Sequence, residues 1–300
     1  MKNSIIVKIR GGLGNQLFQY AYAKKIQTKY PDKEIIIDTS YFNKKHIRSL
    51  EINQLILRKK VKMQNRSDKI FDFLYNIFRF LDKISKHSIV LNAIYLFGNY
   101  YCFCDKQVTF NLNRKKVKNI YLAGYFQDLR EIDPIKDSIK KDIIPSSLSE
   151  TTKRYLQYIY DNNTIAVSIR AGDDYVKFGW PVCTKDYYLA AINKLRKHNE
   201  KIIVFADVID KIKKEKWFDN YEVTYIEGCN AVESLFLLSR CNDYVISNST
   251  FSWWGAYLGD NDNKKIVAPE MFYSGKKMSE GGLHIPGALY MNNYTGKPCK

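Results

Sequence analysis

Three segments of this 300-residue chain pair anion-binding residue types with positions that would aim them at a ligand. The first, Arg10-Gly11-Gly12-Leu13-Gly14-Asn15-Gln16, follows the apolar run Ile5-Ile6-Val7 and places three glycines within four positions. With side chains removed, a ligand can approach the backbone, and the N–H groups of a following helix point at it, which makes a phosphate or sugar cradle. The turn is neither the Gly-x-Gly-x-x-Gly of a dinucleotide site nor a P-loop ending in Lys-Ser/Thr, so neither NAD nor ATP is implied. The second segment, Val167-Ser168-Ile169-Arg170-Ala171-Gly172-Asp173-Asp174-Tyr175, closes a strand-like run from Ile165. Ligands sit at the carboxyl ends of strands in open α/β sheets, and a guanidinium there offers phosphate a planar, permanently charged fork. The alternative is a structural Arg170–Asp173 pair. The third segment, Asn248-Ser249-Thr250-Phe251-Ser252-Trp253-Trp254-Gly255, follows Tyr244-Val245-Ile246 and reads as a buried strand turning into a helix. Hydroxyls and open N–H groups at such a turn suit an anion, although a plain N-cap before a buried helix would have the same composition.

Strand-like runs recur along the chain, with helical stretches between them. They are Ile5-Ile6-Val7, Ile35-Ile36-Ile37, Ile120-Tyr121-Leu122, Ile165-Ala166-Val167, Ile202-Ile203-Val204-Phe205, Val223-Thr224-Tyr225-Ile226, Tyr244-Val245-Ile246 and Ile266-Val267. Short runs rich in Ile and Val suit parallel strands covered on both faces, so the fold class is α/β. Thr184 is placed to cap a helix running to Lys197, and residues 231–240 predict another. Residues 69–104 break the alternation: Ile70, Phe73, Leu74, Ile77, Phe78, Leu81 and Ile84 recur at helical spacing between Asp72, Arg79, Asp82 and Lys83. A helical insertion over about 65–105 is expected, either packed on its own lobe or facing a membrane or a lipid-carried acceptor. The polar stretch 146–152 follows Pro145 and sets the expected boundary between lobes of residues 1–148 and 149–300.

Composition bounds the function. Hydrophobic residues make up 45% of the chain, with 16 Phe and 23 Tyr, enough for a sizeable core. No apolar run approaches the roughly 20 residues that cross a bilayer, and the N-terminus does not read as a secretion signal, so a cytoplasmic protein is expected. Cys102, Cys104, Cys183, Cys229, Cys241 and Cys299 match neither zinc spacing nor a disulfide framework, and reduced, buried thiols are expected. The net charge of +17 is uneven, with 28 Lys/Arg against 14 Asp/Glu in residues 1–150 and 20 against 17 in the remainder. A basic field favours a phosphorylated substrate, an anionic membrane surface or nucleic acid. The last is disfavoured, because no zinc-finger or RRM pattern accompanies it.

In combination and in order, the three segments resemble the bacterial α-1,2-fucosyltransferases of glycosyltransferase family 11. Between them Tyr121-Leu122-Ala123-Gly124-Tyr125-Phe126-Gln127, Cys183-Thr184-Lys185-Asp186-Tyr187-Tyr188, Val204-Phe205-Ala206-Asp207 and Glu233-Ser234-Leu235-Phe236-Leu237-Leu238-Ser239-Arg240-Cys241 also match. The likeness covers residues 5–269, while 58–119 match nothing in it. Where the family usually shows His-x-Arg-Arg-Gly-Asp-Tyr, this chain has Ser168 for the histidine, Ala171 for the second arginine and an extra Asp174; Arg170 aligns with the first arginine.

The resemblance implies a GT-B architecture, two Rossmann-like lobes with the active site in the cleft, the first lobe on the acceptor side and the second binding the donor. It implies GDP-fucose as donor, no metal or other cofactor, and inversion at the anomeric carbon in forming an α-1,2 link to a galactoside. As the fucosyl–phosphate bond breaks, charge builds on the β-phosphate, and without a metal fixed cations and N–H dipoles must neutralise it. Arg170 is the expected cation, joined by Ser249, Thr250 and Ser252 beside Asn248. Gly12, Gly14, Asn15 and Gln16 of the turn would lie across the cleft near the pyrophosphate and acceptor. Asp207 and Glu233 are candidates to accept from guanine or ribose. Asp173, its basicity lowered by Arg170, is given a positioning role. The implied setting is surface polysaccharide or O-antigen synthesis on a lipid-linked acceptor at an anionic membrane. Two other readings stand beside it: transfer of another GDP-linked sugar or linkage, given Ser168 and Ala171, or a basic membrane- or nucleic-acid-binding protein whose motifs are merely core.

Overall fold

The Ile- and Val-rich runs become strands because both faces are covered: Ile5, Val7, Ile35, Ile37, Ile120 and Leu122 are wholly buried, as are Ile165, Val167 and Val204. The computed structural model describes residues 3–299 except 45, 47, 58–60, 85–92, 105–116, 173–174, 176, 178, 198, 274 and 279. The chain divides into two units, Met1–Ile143 and Ile144–Lys300. The division precedes the polar stretch 146–152, which is not a linker: Ser149 caps a helix and Thr152 is completely buried.

In the first unit, β1 (Ser4–Lys8) leads through the glycine turn to α1 (Leu13–Lys29) and β2 (Glu34–Asp38). Next come β3 (Val61–Gln64), α2 (Lys69–Ile84), β4 (Ala93–Leu96), β5 (Asn99–Cys104) and β6 (Ile120–Gly124). The sheet order is β3-β2-β1-β6-β5-β4, with Ile5 in register between Ile35 and Ile120. All pairings are parallel except β4 with β5. Among the described residues, the expected helical insertion is helical over α2 alone, and β4 with β5 forms a hairpin that extends the sheet, Tyr100, Tyr101, Cys102 and Phe103 being buried beside β6. One side of α2 lies on that sheet, with Phe71 and Tyr75 buried against the rings of Tyr101, Phe103 and Tyr121. Short helices α3 (Leu129–Ile132) and α4 (Lys136–Lys140) close the unit.

The second unit runs α5 (Glu150–Tyr160), β7 (Thr164–Ile169), α6 (Lys185–Leu195), β8 (Lys201–Ala206), α7 (Ile209–Lys214) and β9 (Val223–Tyr225). It continues with α8 (Ala231–Leu238), β10 (Asp243–Val245), α9 (Thr250–Leu258), β11 (Ile266–Pro269), a hairpin of β12 (Met271–Tyr273) and β13 (Lys276–Lys277), and β14 (Leu289–Met291). Thr184 caps α6, which stops at Leu195, two residues short of its expected end. The main sheet is parallel in the order β14-β11-β10-β7-β8-β9. Its first strand is central: the chain builds outward through β8 and β9, then returns to start again at β10. This is the doubly wound order, with the reversal between β7 and β10.

No helix among the described residues is long and apolar enough to cross a membrane. Cys102, Cys183, Cys229, Cys241 and Cys299 are free thiols. Burial pushes those of Cys183 and Cys241 up to about 12, so both stay protonated and pack as small apolar side chains.

Candidate functional site

Three loops leave the carboxyl edge of the second sheet side by side, from β10, β7 and β8. After β7, the Arg170 guanidinium forms an ion pair with Asp207 of the neighbouring loop and lies over the Tyr175 ring, 4.4 Å from its centroid. Asp207 also accepts from the N–H groups of Ala171 (3.0 Å) and Gly172 (3.1 Å), fixing the loop backbone together with its charge. Arg170 thus has Asp207 as an ion-pair partner, while Asp173, contemplated as its structural partner, lies outside the described residues. Asp207 has a place at the site, as the partner of Arg170.

After β10, Ser247, Asn248 and Ser249 lead into α9. Ser249 is the N-cap, its Oγ accepting from Phe251 N–H at 3.3 Å, and Trp253 and Trp254 are completely buried behind it. That burial orients the helix so that its N-terminus, with the positive end of its dipole, opens at the sheet edge. Thr250 begins the helix and is half-buried. The two loops are tied together: Ser252 Oγ shares hydrogen bonds with Ser168 Oγ (2.7 Å) and Ser247 Oγ (2.8 Å), and the Tyr175 hydroxyl donates to Asn248 O (3.4 Å). Arg170 and the start of α9 therefore stand at the switch point, where ligands bind in sheets of this order.

Several expected contacts are already committed inside the protein. The Ser252 hydroxyl is buried in its bonds to two serines, so it joins strand to helix and does not face a ligand. The Asn248 amide donates to Phe272 O (3.0 Å) and accepts from the Cys183 thiol (3.9 Å), bracing the loop from within. Glu233 completes a capping box with Asn230 at the start of α8 and accepts from Ser149 N–H at 2.6 Å. It anchors α8 to α5, each carboxylate oxygen taking a backbone N–H.

That anchor carries a pH signature. Burial alone would push the Glu233 carboxyl up, but the N–H bonds from Ser149 and Asn230 outweigh it and hold the group below the usual glutamate range. A carboxyl lowered on folding adds stability above its unfolded value of about 4.3 and loses it as pH falls through the folded value. Thermal stability should decline on acidification below that point, and Glu233→Gln should flatten the decline in pH-resolved melting curves. An identical acid limb in the variant would remove Glu233 as its source.

In the first unit the glycine turn and the end of β6 lie on adjacent strands. Gly11 has φ +78°, and a Cβ there would sit 2.8 Å from Asn15 Nδ2, so the turn requires glycine. Gly12 is the residue before α1, and Gly14 is buried in its first turn. Asn15 accepts from Gln127 Nε2 at 2.9 Å. Gln16 donates to Gly11 O and Ser49 O, both at 2.8 Å, and accepts from Glu51 and Ile52 N–H, both at 3.0 Å. Its amide capacity is fully used, so Gln16 holds the turn to residues 49–52 and is unavailable to a donor sugar. Arg10, to which the sequence reading gave no role, lies over the Tyr125 ring (4.3 Å to its centroid) and bonds the Tyr75 hydroxyl. Tyr175 was likewise unassigned. Only long-range packing shows that these aromatic rings carry guanidinium groups. Among the described residues, no group of three or more His, Cys, Asp or Glu is placed to hold a metal.

Residues 4–286 match the family model described as glycosyl transferase family 11. An O-antigen biosynthesis glycosyltransferase, WbnK of Escherichia coli, is 32% identical over 91% of this chain and 96% of its own. An α-1,2-colitosyltransferase of the same organism is 25% identical over 92% of this chain and 94% of its own. Among solved structures, fucosyltransferase NodZ from Bradyrhizobium superposes with a TM-score of 0.50 at 14% identity, covering 85% of this chain and 92% of that one. That likeness is one of fold.

Proposed function

Because the chain belongs to glycosyl transferase family 11 and is by that membership a glycosyltransferase of GT-B fold, we propose that it transfers L-fucose from GDP-fucose to a galactoside hydroxyl, forming an α-1,2 link with inversion and without a metal. The observation that carries this reading is the pairing of Arg170 with the N-terminus of α9 at the switch point of the second sheet. A diphosphate placed there meets a fixed cation and a positive helix end. Both become more valuable as the bond from the anomeric carbon to the phosphate oxygen breaks and charge collects on the β-phosphate.

In this reading Arg170 neutralises the leaving group, Asp207 and Tyr175 hold the guanidinium in place, and Ser249 and Thr250 supply hydroxyl and N–H donors. Asp173 positions. Gly12, Gly14 and Asn15 line the acceptor side, in the first unit. The WbnK relative supports O-antigen synthesis as the setting; to this the proposal adds a lipid-linked oligosaccharide as acceptor, a cytoplasmic location and peripheral contact with an anionic membrane. A second reading, transfer of a different GDP-linked sugar, draws on the colitosyltransferase relative and on Ser168, whose hydroxyl is bonded to Ser252 where the family usually has histidine.

The test is mass analysis of products from GDP-fucose and other GDP-sugars offered with assorted β-galactosides in excess EDTA. A fucosylated galactoside cleaved by an α-1,2-specific fucosidase is expected. Turnover of another GDP-sugar with none of GDP-fucose would replace the first reading by the second, and a strict Mg²⁺ or Mn²⁺ requirement would overturn both.

A further inference from the structure

The apolar arc of α2 is wider than the sheet it covers. Phe71 and Tyr75 are buried, with Leu74 and Phe78 packed beside them, and these four account for the side facing β5 and β6. At helical spacing next to them, Ile70, Phe73, Ile77 and Phe80 point outward with 47%, 64%, 41% and 64% of their surface exposed. At 100° per residue those four occupy one continuous stripe. Scattered single exposures need no explanation, but an aligned stripe with two phenylalanines marks a contact surface.

Lys69 borders the stripe and is exposed, while the exposed Arg79 lies further round the polar face of the helix. Two acids nearby are paired within the protein: Asp72, half-buried, is taken by Lys8 and Ser67, and Asp68 caps the helix through the N–H groups of Ile70 and Phe71 while also bonding the Tyr121 hydroxyl. Residues 58–69, the approach to the helix, hold six Lys/Arg against one acid. An aromatic stripe bordered by Lys69 and preceded by this basic segment matches the interfacial zone of a bilayer, where rings enter the acyl boundary and cations meet anionic headgroups.

We propose that the outward stripe of α2 docks the protein on an anionic lipid bilayer, with Ile70, Phe73, Ile77 and Phe80 inserted at the headgroup boundary and Lys69 against lipid phosphate. This gives a surface to the membrane contact of the preceding reading, and it stands or falls separately, because its readout is binding to lipid and not sugar transfer.

The experiment is co-sedimentation of the full chain with phosphatidylcholine vesicles containing or lacking phosphatidylglycerol. Binding is expected only with the anionic lipid and should weaken as salt is raised. Phe73→Gln with Phe80→Gln, which keeps good helix formers at exposed positions, should reduce that binding by about tenfold or more. Lys69→Glu should weaken it as well, by reversing the charge beside the stripe while keeping the stripe itself. Both variants should retain the wild-type melting temperature and turnover on a soluble acceptor. Undiminished binding in the phenylalanine variant, or equal binding to neutral vesicles, would overturn the proposal. So would a concentration-dependent dimer that the phenylalanine variant abolishes, since the stripe would then cover a second copy of the chain.

Discussion

Arg170→Lys is expected to lower kcat/KM for sugar transfer by about a hundredfold or more, the usual cost of losing one fixed donor to developing charge. The loss arises from shape, since the charge remains. The guanidinium is planar, lies over the Tyr175 ring and forms an ion pair with Asp207. An ammonium can keep the attraction to Asp207, but it cannot also stack on the ring and present a two-pronged edge to phosphate oxygens. Melting temperature should change little, because Asp207 keeps its bonds from the backbone of Ala171 and Gly172. Turnover from labelled GDP-fucose, measured beside a thermal shift with GDP, separates chemistry from folding. Near wild-type turnover in the lysine variant would take Arg170 out of the mechanism.

The second large effect is on stability. At Gly255, inside α9, an added Cβ would lie 2.2 Å from Leu238 Cδ2, 2.4 Å from its Cγ and 3.3 Å from its Cβ. Leu238 ends α8 and is completely buried, so it has no free space to swing into. Gly255→Ala should therefore force the two helices apart and destabilise the second unit by about 1–3 kcal/mol, despite the better helix propensity of alanine. Because α9 also presents the Ser249 cap, donor binding should weaken alongside stability. Leu238→Ala by itself leaves a cavity and costs about 2–5 kcal/mol. In combination the new methyl partly fills the space, so the double variant should lose less than the sum of the single losses. Strictly additive losses in chemical denaturation would show that the two side chains do not meet.

Much of the architecture is legible from local pattern. Each of the eight apolar runs picked out along the chain became a strand, because an Ile- and Val-rich run bounded by polar residues has few other ways to bury both faces. Thr184, Asn230 and Ser249 sit at helix starts for equally local reasons, each side chain accepting an N–H from its own first turn. Residues 93–104 were misjudged as helical because Tyr95, Tyr100 and Tyr101 are compatible with either period until β6 provides a partner for β5.

The site divides along the same line. Sequence by itself determined three local features: a glycine turn after β1, an arginine at the end of β7 and a polar helix start after β10. Tertiary structure alone decided what each polar group meets. Arg170 finds Asp207 across 37 positions, Ser168 finds Ser252 across 84, Glu233 finds Ser149 across 84, and Gln16 reaches Ile52 across 36. The physical reason is that periodicity and capping are written within one turn or one strand. Whether a carboxylate, hydroxyl or amide is spent inside the protein or left for a ligand depends on which strand the sheet order sets beside it.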